Sequence, residues 1–210
     1  MSTAPLRLDE IAITHGGPPL IDISASVAPG EILTLMGPSG VGKSTLLAHI
    51  AGFLPVGFQA SGRVLLGETD LGLLPPERRR LGLLFQDPLL FPHLDVGGNL
   101  AFGMPAGGSR RQRRDEVNTA LDDIGLSGFA ERDPGTLSGG QRARVALMRV
   151  LLARPRAMLL DEPFSKLDTA LRDEMRRLVF ERIRRDGLPT LMVTHDRADA
   201  EAAGGPIIEL

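Results

Sequence analysis

The feature that most restricts the fold of this chain is a glycine-rich loop between a short apolar segment and a helical pattern. Residues 32–36 read Ile-Leu-Thr-Leu-Met, and residues 43–51 place apolar side chains at a 3.6-residue period. The loop and first turn between them fit the pattern G-x-x-x-x-G-K-S/T and consist of Gly37, Pro38, Ser39, Gly40, Val41, Gly42, Lys43, Ser44 and Thr45. In this strand–loop–helix context, the pattern predicts backbone N–H groups that surround phosphate, in preference to a glycine turn without a ligand.

The residue types of this loop suit a nucleotide triphosphate with its magnesium ion. We expect Lys43 to reach the β and γ phosphates, Ser44 to ligate Mg²⁺ and Thr45 to contact the α phosphate. Of the 24 basic side chains, only Lys43 and Lys166 are lysines. A lysine at position 43 is therefore unusual for this chain and supports the phosphate assignment.

Two acidic residues follow a second apolar segment. Residues 157–160 are apolar, and Asp161 and Glu162 come next. Because the carboxyl ends of parallel strands meet at one edge of a sheet, we expect Asp161 beside the phosphate loop, completing the magnesium shell. Glu162 is then placed to orient and deprotonate a water molecule. A helix cap or a solvated turn is the alternative for two such acids, and the buried strand before them argues against it.

A second glycine-rich helix start lies at residues 137–141, Leu-Ser-Gly-Gly-Gln. Ser138 and Gln141 have the spacing of a capping box that opens a helix over 139–152. A cap does not explain the adjacent Gly139 and Gly140, each of which costs about 1 kcal/mol relative to alanine in a helix. Bare backbone at a helix N-terminus suits an anion that approaches closely. We expect both a cap and a phosphate contact here.

The remaining periodicity predicts an α/β fold with a mostly parallel sheet. Short apolar runs at 32–36, 81–85, 157–160 and 190–193 indicate buried parallel strands, and 43–51, 139–152 and 169–185 indicate helices. Alternating patterns at 6–13, 20–27 and 63–66 favour an N-terminal antiparallel β-subdomain. Residues 88–136 change to Gly/Pro-rich turns around a charged helical stretch at 110–124, which predicts an inserted helical subdomain extending to about 152. Residues 1–210 are expected to form one domain.

Composition excludes several classes of protein. Cysteine is absent, so neither disulfides nor thiolate metal sites are possible. A formal net charge of -2 and a pI near 6.1 argue against nucleic acid as a partner, and we expect the arginine clusters at 78–80, 110–114 and 176–185 to form solvated helix faces. No apolar run approaches the roughly 20 residues that span a bilayer, so a role at a membrane requires a partner chain.

Together these motifs resemble the ATP-binding subunit of ABC transporters, over nearly the whole chain. The resemblance implies a P-loop NTPase core and two copies paired head to tail, so that Ser138, Gly139, Gly140 and Gln141 of one copy share an ATP with the phosphate loop of the other. It also implies that Gln86, after the strand 81–85, binds Mg²⁺ or water, and that His195 is a switch histidine that contacts the γ phosphate. The chain has no Tyr or Trp, so His15 is the nearest candidate for the aromatic ring that stacks on adenine.

Within this family, residues 90–103 resemble importer subunits, including those for thiamine, polyamines, sulfate and iron. The resemblance implies an energy-coupling subunit that hydrolyses ATP to ADP and phosphate at the cytoplasmic face of the inner or plasma membrane. Its partners would be transmembrane permease subunits, with a separate solute-binding protein. Ser165-Lys166-Leu167-Asp168 matches the family's D-loop, where a small residue is more usual at position 166. The family's closing strand and helix look trimmed, so residues 206–210 are expected to be held loosely.

Several other classes remain as alternatives. A small-molecule P-loop kinase shares residues 37–44 but does not need residues 137–141. A DNA-repair ABC ATPase would separate Lys43 from Asp161 by a long coiled coil, for which the interval has no room, and a translation-factor type usually repeats the whole cassette. A non-hydrolysing scaffold would lack Glu162 or the signature. The resemblance favours an importer subunit similar to thiamine-type and uncharacterised short importer subunits, and it does not identify the cargo.

Overall fold

The strands of this chain lie in two sheets. The structure is a computed structural model that describes residues 4–210, so the first three residues of the predicted domain lie outside the described part. The strands are β1 (Leu6–Thr14), β2 (Pro19–Val27), β3 (Ile32–Met36), β4 (Gln59–Leu66), β5 (Thr69–Asp70), β6 (Leu81–Phe85), β7 (Ala157–Asp161), β8 (Thr190–Thr194) and β9 (Ile207–Glu209). One sheet is antiparallel with the order β2-β1-β4-β5, and the other has the order β6-β7-β8-β3-β9 with parallel neighbours.

Helices connect these strands and cover the parallel sheet. They are α1 (Lys43–Ala51), α2 (Pro76–Arg79), α3 (Val96–Gly103), α4 (Arg110–Asp123), α5 (Gly139–Leu152), α6 (Thr169–Asp186) and α7 (Arg197–Ala203). The predicted α/β class and the predicted N-terminal antiparallel sheet are confirmed. The boundaries of the helical subdomain, 88–136 with an extension to about 152, stay a prediction, although α3, α4 and α5 lie within this region.

The parallel strands divide the core into two apolar clusters. Leu33, Leu35 and Leu159 face one side, where α1 and the antiparallel sheet pack. Met158 and Leu160 face the other side, which α3, α4, α5 and α6 cover. Since successive side chains of a strand point to opposite faces, only a strand that is apolar at nearly every position can serve both clusters. This requirement explains why the sequence pattern located these strands so well.

Helix α3 was not anticipated, because residues 96–103 contain three glycines and were assigned to turns. It forms because tertiary contacts outweigh the low helix propensity of glycine. The Asp95 side chain accepts the Gly98 N–H at 2.6 Å as an N-cap, and Leu100 is fully buried. The fully buried Asn99 amide also binds both backbone groups of Phe91, with its Oδ1 2.8 Å from Phe91 N and its Nδ2 3.1 Å from Phe91 O.

The expectation that residues 206–210 are loosely held is wrong. Strand β9 pairs in parallel with β3, and the Leu210 N–H donates to the Met36 carbonyl at 2.8 Å. The Thr34 N–H also donates to the Pro206 carbonyl at 2.9 Å. Helix α7 leads the chain back to the free edge of β3, whose unpaired backbone groups then gain partners.

The arginine clusters are not uniformly solvated, which corrects the sequence interpretation. Arg79 is only 9% exposed and donates from Nη1 to the carbonyls of His49 (3.0 Å) and Ile50 (2.6 Å). These carbonyls lie in the last turn of α1, where backbone acceptors lack helical partners and a cation is favourable. Arg176 is also largely buried, against Asp199.

No helix within residues 4–210 combines the length and the apolar composition needed to cross a bilayer.

Candidate nucleotide site

The phosphate loop and three other predicted site segments meet at the carboxyl edge of the parallel sheet. The phosphate loop follows β3, Gln86 follows β6, Asp161 ends β7 and His195 follows β8. Because the sheet order is β6-β7-β8-β3, these four strand ends are consecutive neighbours. The sheet therefore brings together side chains that lie more than a hundred positions apart in sequence.

The phosphate loop wraps around the start of α1. Gly40 and Gly42 have φ values of 86° and 100°, which favour glycine, and Gly42 precedes the first residue of the helix. Lys43 is 6% exposed, and its Nζ donates to the Gly37 carbonyl at 2.7 Å and to the Pro38 carbonyl at 2.9 Å. An ammonium group has three N–H donors, so these two bonds leave one for a phosphate oxygen.

Ser44 and Asp161 connect the phosphate loop to β7. The Ser44 hydroxyl donates to Asp161 Oδ1 at 3.1 Å. Burial raises the pKa of Asp161, the neighbouring Glu162 carboxylate raises it further, and the Ser44 hydrogen bond and the Lys43 charge oppose both effects. A carboxylate that is partly removed from water in this way gains from a cation beside it.

The donor set at this point fits Mg²⁺. Hydroxyl and carboxylate oxygens are hard ligands, and Mg²⁺ in nucleotide sites is commonly held by one or two carboxylates together with the phosphates. Within residues 4–210 no cluster of three or more His, Cys, Asp or Glu side chains forms an all-protein metal cage. Gln86 is exposed at the end of β6, and among the described residues its side chain has no recorded hydrogen bond to Ser44 or Asp161.

Glu162 and His195 face each other across the ends of β7 and β8. His195 Nδ1 lies 3.0 Å from Glu162 Oε1. Since a carboxylate only accepts, Nδ1 carries the proton in this contact. Glu162 has a φ of 46° in the left-handed region, a backbone state that costs about 1–3 kcal/mol and is concentrated at functional sites.

A polar network behind His195 was missed by the sequence analysis. The buried Asp199 accepts from Arg176 Nε at 2.6 Å and from the Thr194 hydroxyl at 3.3 Å. The same hydroxyl accepts the Asp196 N–H at 3.0 Å, and Arg172 donates to Asp196 Oδ2 at 2.8 Å. The network fixes the turn that carries His195. Nothing in the local pattern pointed to it, because these acids suit a helix start equally well.

The second glycine-rich helix start forms the predicted capping box. The Ser138 hydroxyl accepts the Gln141 N–H at 3.3 Å, and Gln141 Oε1 accepts the Ser138 N–H at 2.9 Å. The structure thus gives the Gln141 side chain a capping role. Within residues 4–210 no hydrogen bond joins Ser138, Gly139 or Gly140 to the phosphate loop, so one chain does not bring the two elements together.

Gly139 and Gly140 have different surroundings. Gly139 is exposed, and a Cβ added there meets no atom within 4 Å. Gly140 is buried, and its added Cβ would lie 2.5 Å from Leu171 Cδ2. Packing against α6 therefore accounts for the glycine at 140, whereas nothing in the described chain accounts for the one at 139.

His15 stacks on a ring that the sequence analysis did not consider. Its imidazole and the Phe58 ring have centroids 4.4 Å apart and an interplanar angle of 15°. A Cβ at Gly57 would lie 3.1 Å from His15 Nε2. One face of the imidazole is thus covered by Phe58, and stacking of the other face on adenine stays a prediction.

The fold and the strand-edge geometry define a P-loop nucleotide-binding protein. Residues 20–165 match the sequence family described as ABC transporter. The chain belongs to this family as an ATP-binding subunit, a class that hydrolyses ATP.

Relatives and a solved structure agree with this assignment. The uncharacterised ABC transporter ATP-binding protein YnjD of Escherichia coli K12 is 50% identical over 183 residues, covering 87% of this chain and 84% of that protein. The putative 2-aminoethylphosphonate import ATP-binding protein PhnT of Salmonella typhimurium is 43% identical over 202 residues, covering 94% of this chain and 54% of that protein. The chain thus spans most of YnjD and about half of PhnT. The structure of cbiO1 from Clostridium perfringens, part of the ABC transporter complex cbiONQ, has a TM-score of 0.79 at 29% identity and covers 93% of this chain and 80% of that chain.

Proposed function

We propose that this chain is the ATP-hydrolysing, energy-coupling subunit of an importer, working as a head-to-tail dimer. The observation that best supports this chemistry is the contact of Glu162 with His195 beside the Ser44–Asp161 contact, since a carboxylate in this position is suited to accept a proton from water. The oxygen of a water molecule attacks the γ phosphorus, and the bond from that phosphorus to the β–γ bridging oxygen breaks. ADP leaves, and Glu162 takes the proton of the water.

The other residues bind and orient the reactants. Lys43 and the backbone N–H groups of the loop hold the β and γ phosphates, and Thr45 holds the α phosphate. His195 keeps the Glu162 carboxylate directed through Nδ1, which leaves Nε2 for the γ phosphate. Ser44 and Asp161 would hold Mg²⁺, with Gln86 as a further ligand. When bound, the ion offsets the phosphate charge.

Gly139 supports the dimer. Its exposed backbone has no packing reason to lack a side chain, and no bond of the described chain links it to the phosphate loop. A second copy placed head to tail supplies Ser138 and Gly139 at the start of α5 to the nucleotide of the first. There the helix N-terminus favours the phosphate charge.

Relatives support an importer. PhnT is named for 2-aminoethylphosphonate import, and a relative from Streptomyces avermitilis, 42% identical over 205 residues, for Fe(3+) ion import. We infer that permease subunits and a solute-binding protein complete the system, with this chain at the cytoplasmic face of the membrane. Because these relatives are named for different solutes, they do not favour a thiamine-like cargo over other small solutes.

Glu162→Gln tests the chemistry, because it keeps the size of the side chain and removes the base. We expect unchanged ATP binding, loss of turnover and a monomer-to-dimer shift that requires magnesium-ATP, measured by size-exclusion chromatography with light scattering. Hydrolysis at the parental rate would show that Glu162 is not the base.

Ser138→Arg, made on the Glu162→Gln background, tests the dimer. The bulky cation should block the nucleotide-driven shift while ATP binding to the monomer is retained. An undiminished shift would contradict the contact in trans.

A further inference from the structure

The second lysine of the chain forms an ion pair that the proposed function does not use. Lys166 Nζ lies 2.5 Å from Asp87 Oδ1, and the two side chains are 50% and 60% exposed. Lys166 belongs to the segment after Glu162, and Asp87 follows Gln86 directly. The pair therefore connects the segment with the proposed base to the segment with a proposed magnesium ligand.

The connection lies where backbone pairing between the two segments has ended. Strands β6 and β7 are paired as far as Phe85, which lies opposite Asp161, and their backbone pairing ends there. Within residues 4–210, the only hydrogen bond between segments 86–90 and 162–168 is the one from Lys166 to Asp87. This ion pair thus adds a polar connection to the apolar packing of Leu90 and Phe164 in one core cluster.

The turn between Glu162 and Lys166 is held together by hydrogen bonds of its own. The Ser165 hydroxyl donates to the Glu162 carbonyl at 2.9 Å, and the Leu167 N–H donates to the Phe164 carbonyl at 3.1 Å. Phe164 is fully buried and anchors the turn in the core. Lys166 and Glu162 thus belong to one hydrogen-bonded turn, so a contact made by Lys166 helps to fix the turn that follows Glu162.

The segment after Gln86 is held from its other side by α5. Arg149 donates to the Leu89 carbonyl at 2.9 Å and to the Pro88 carbonyl at 3.1 Å. A cavity of about 240 Å³ separates the beginning of α5 from the Gln86 segment, with Gly139, Asp87 and Lys166 among its lining residues. The ion pair thus lies beside a cavity where three segments of the proposed site meet.

We propose that Lys166 is a positioning residue, whose ion pair with Asp87 favours the separation of Gln86 and Glu162 at which hydrolysis is fastest. This inference rests on the proposed ATPase function and adds a link between two of its segments. It also explains why a lysine is tolerated where the resembled family usually has a small residue. At position 166 a small side chain could not reach Asp87.

The expected effect is modest, because both partners are half exposed. Exposed ion pairs shift an equilibrium by roughly 1.4- to 5-fold, and less at high salt. We expect Lys166→Ala and Asp87→Ala each to lower kcat by about this factor, while the Kd for ATP changes less than about twofold. The double variant should be no slower than either single variant.

The reversed pair separates positioning from a general surface effect. Lys166→Glu combined with Asp87→Lys keeps one long and one short partner, so it should restore kcat, whereas either reversal alone should lower it. Arg63→Ala is the matched control, since it removes a pair with Asp9 of 2.6 Å whose side chains are 65% and 45% exposed, on the antiparallel sheet. This control should leave kcat unchanged.

Hydrogen exchange of the Ser165 and Leu167 amides, which donate hydrogen bonds within the turn after Glu162, tests the link without turnover. Lys166→Ala should speed exchange there by about 1.4- to 5-fold in low salt and by less in about 1 M NaCl. Exchange and kcat that match those of Arg63→Ala would overturn the inference, and so would a reversed pair with no rescue. Loss of the ATPase function itself would appear separately, as a parental protein without turnover or as an active Glu162→Gln protein.

Discussion

Adjacent glycines at the start of α5 should respond in opposite ways to the same substitution. An alanine at 139 meets open space, and the φ of this residue is not positive, so the change should stabilise the isolated chain by about 0.4–1 kcal/mol. An alanine at 140 gives the same backbone stabilisation, but its Cβ would lie 2.5 Å from Leu171 Cδ2. Leu171 must move to relieve this contact, and because it is half buried its methyl groups can shift, so the cost is at the low end for overpacking, about 1 kcal/mol. Gly140→Ala should therefore be less stable than Gly139→Ala by about 1 kcal/mol.

Thermal unfolding without nucleotide measures this difference. For a chain of this size, each kcal/mol corresponds to about 2–4 °C, so the two variants should differ in Tm by about 2–4 °C. Leu171→Ala removes the methyl groups that clash. Combined with Gly140→Ala, it should cost less than the sum of the two single changes.

Activity should change in the reverse order for Gly139. A methyl group at 139 blocks the close approach of a nucleotide held by a second copy, and a clash of about 1–3 kcal/mol with the bound phosphate would lower ATPase activity by about 5- to 150-fold. ATP binding to the monomer should not change. A Gly139→Ala protein that is both stable and fully active would refute the contact in trans, and equal Tm values for the two variants would refute the packing argument at 140.

Two further predictions concern stability. Asp199→Asn should lower the free energy of unfolding by about 3 kcal/mol, which is the low end for a broken buried pair because Arg176 keeps its contacts with Asp173 and Asp196. Asp173→Asn should lower it by less than about 1 kcal/mol, because the Asp173 side chain is 63% exposed. Equal urea midpoints for the two variants would contradict this difference. Burial, and then the Arg79 charge, lower the pKa of His49, so the folded state binds this proton less readily than the unfolded state does. The free energy of unfolding should then fall as the pH drops below about 6.5 toward the pKa of folded His49. Urea unfolding across this pH range measures the effect. A His49→Gln protein with the same pH dependence would show that His49 is not its cause.

The parts of the fold that were predictable are those in which one local pattern has one physical solution. Strands buried on both faces must be apolar throughout, and a G-x-x-x-x-G-K-S loop after such a strand has few uses. Helix α3 was missed because Asn99 and Leu100 act through distant contacts that outweigh three glycines. The role of Gly140 was missed for the same reason, since its neighbour Leu171 belongs to another helix.

The backbone at Glu162 explains why the site needs connections on both sides. Its N–H still donates to Val193 of β8 at 3.0 Å, whereas its carbonyl is already bound by Ser165 in the following turn. One residue thus ends the strand and begins the turn, which requires the left-handed φ of 46°. The backbone therefore holds Glu162 to β8 and its neighbour His195, but pairing with β6 has ended one residue earlier. On the β6 side, side chains must therefore fix the position of Glu162 relative to Gln86. The ion pair of Lys166 and Asp87 lies between these two segments.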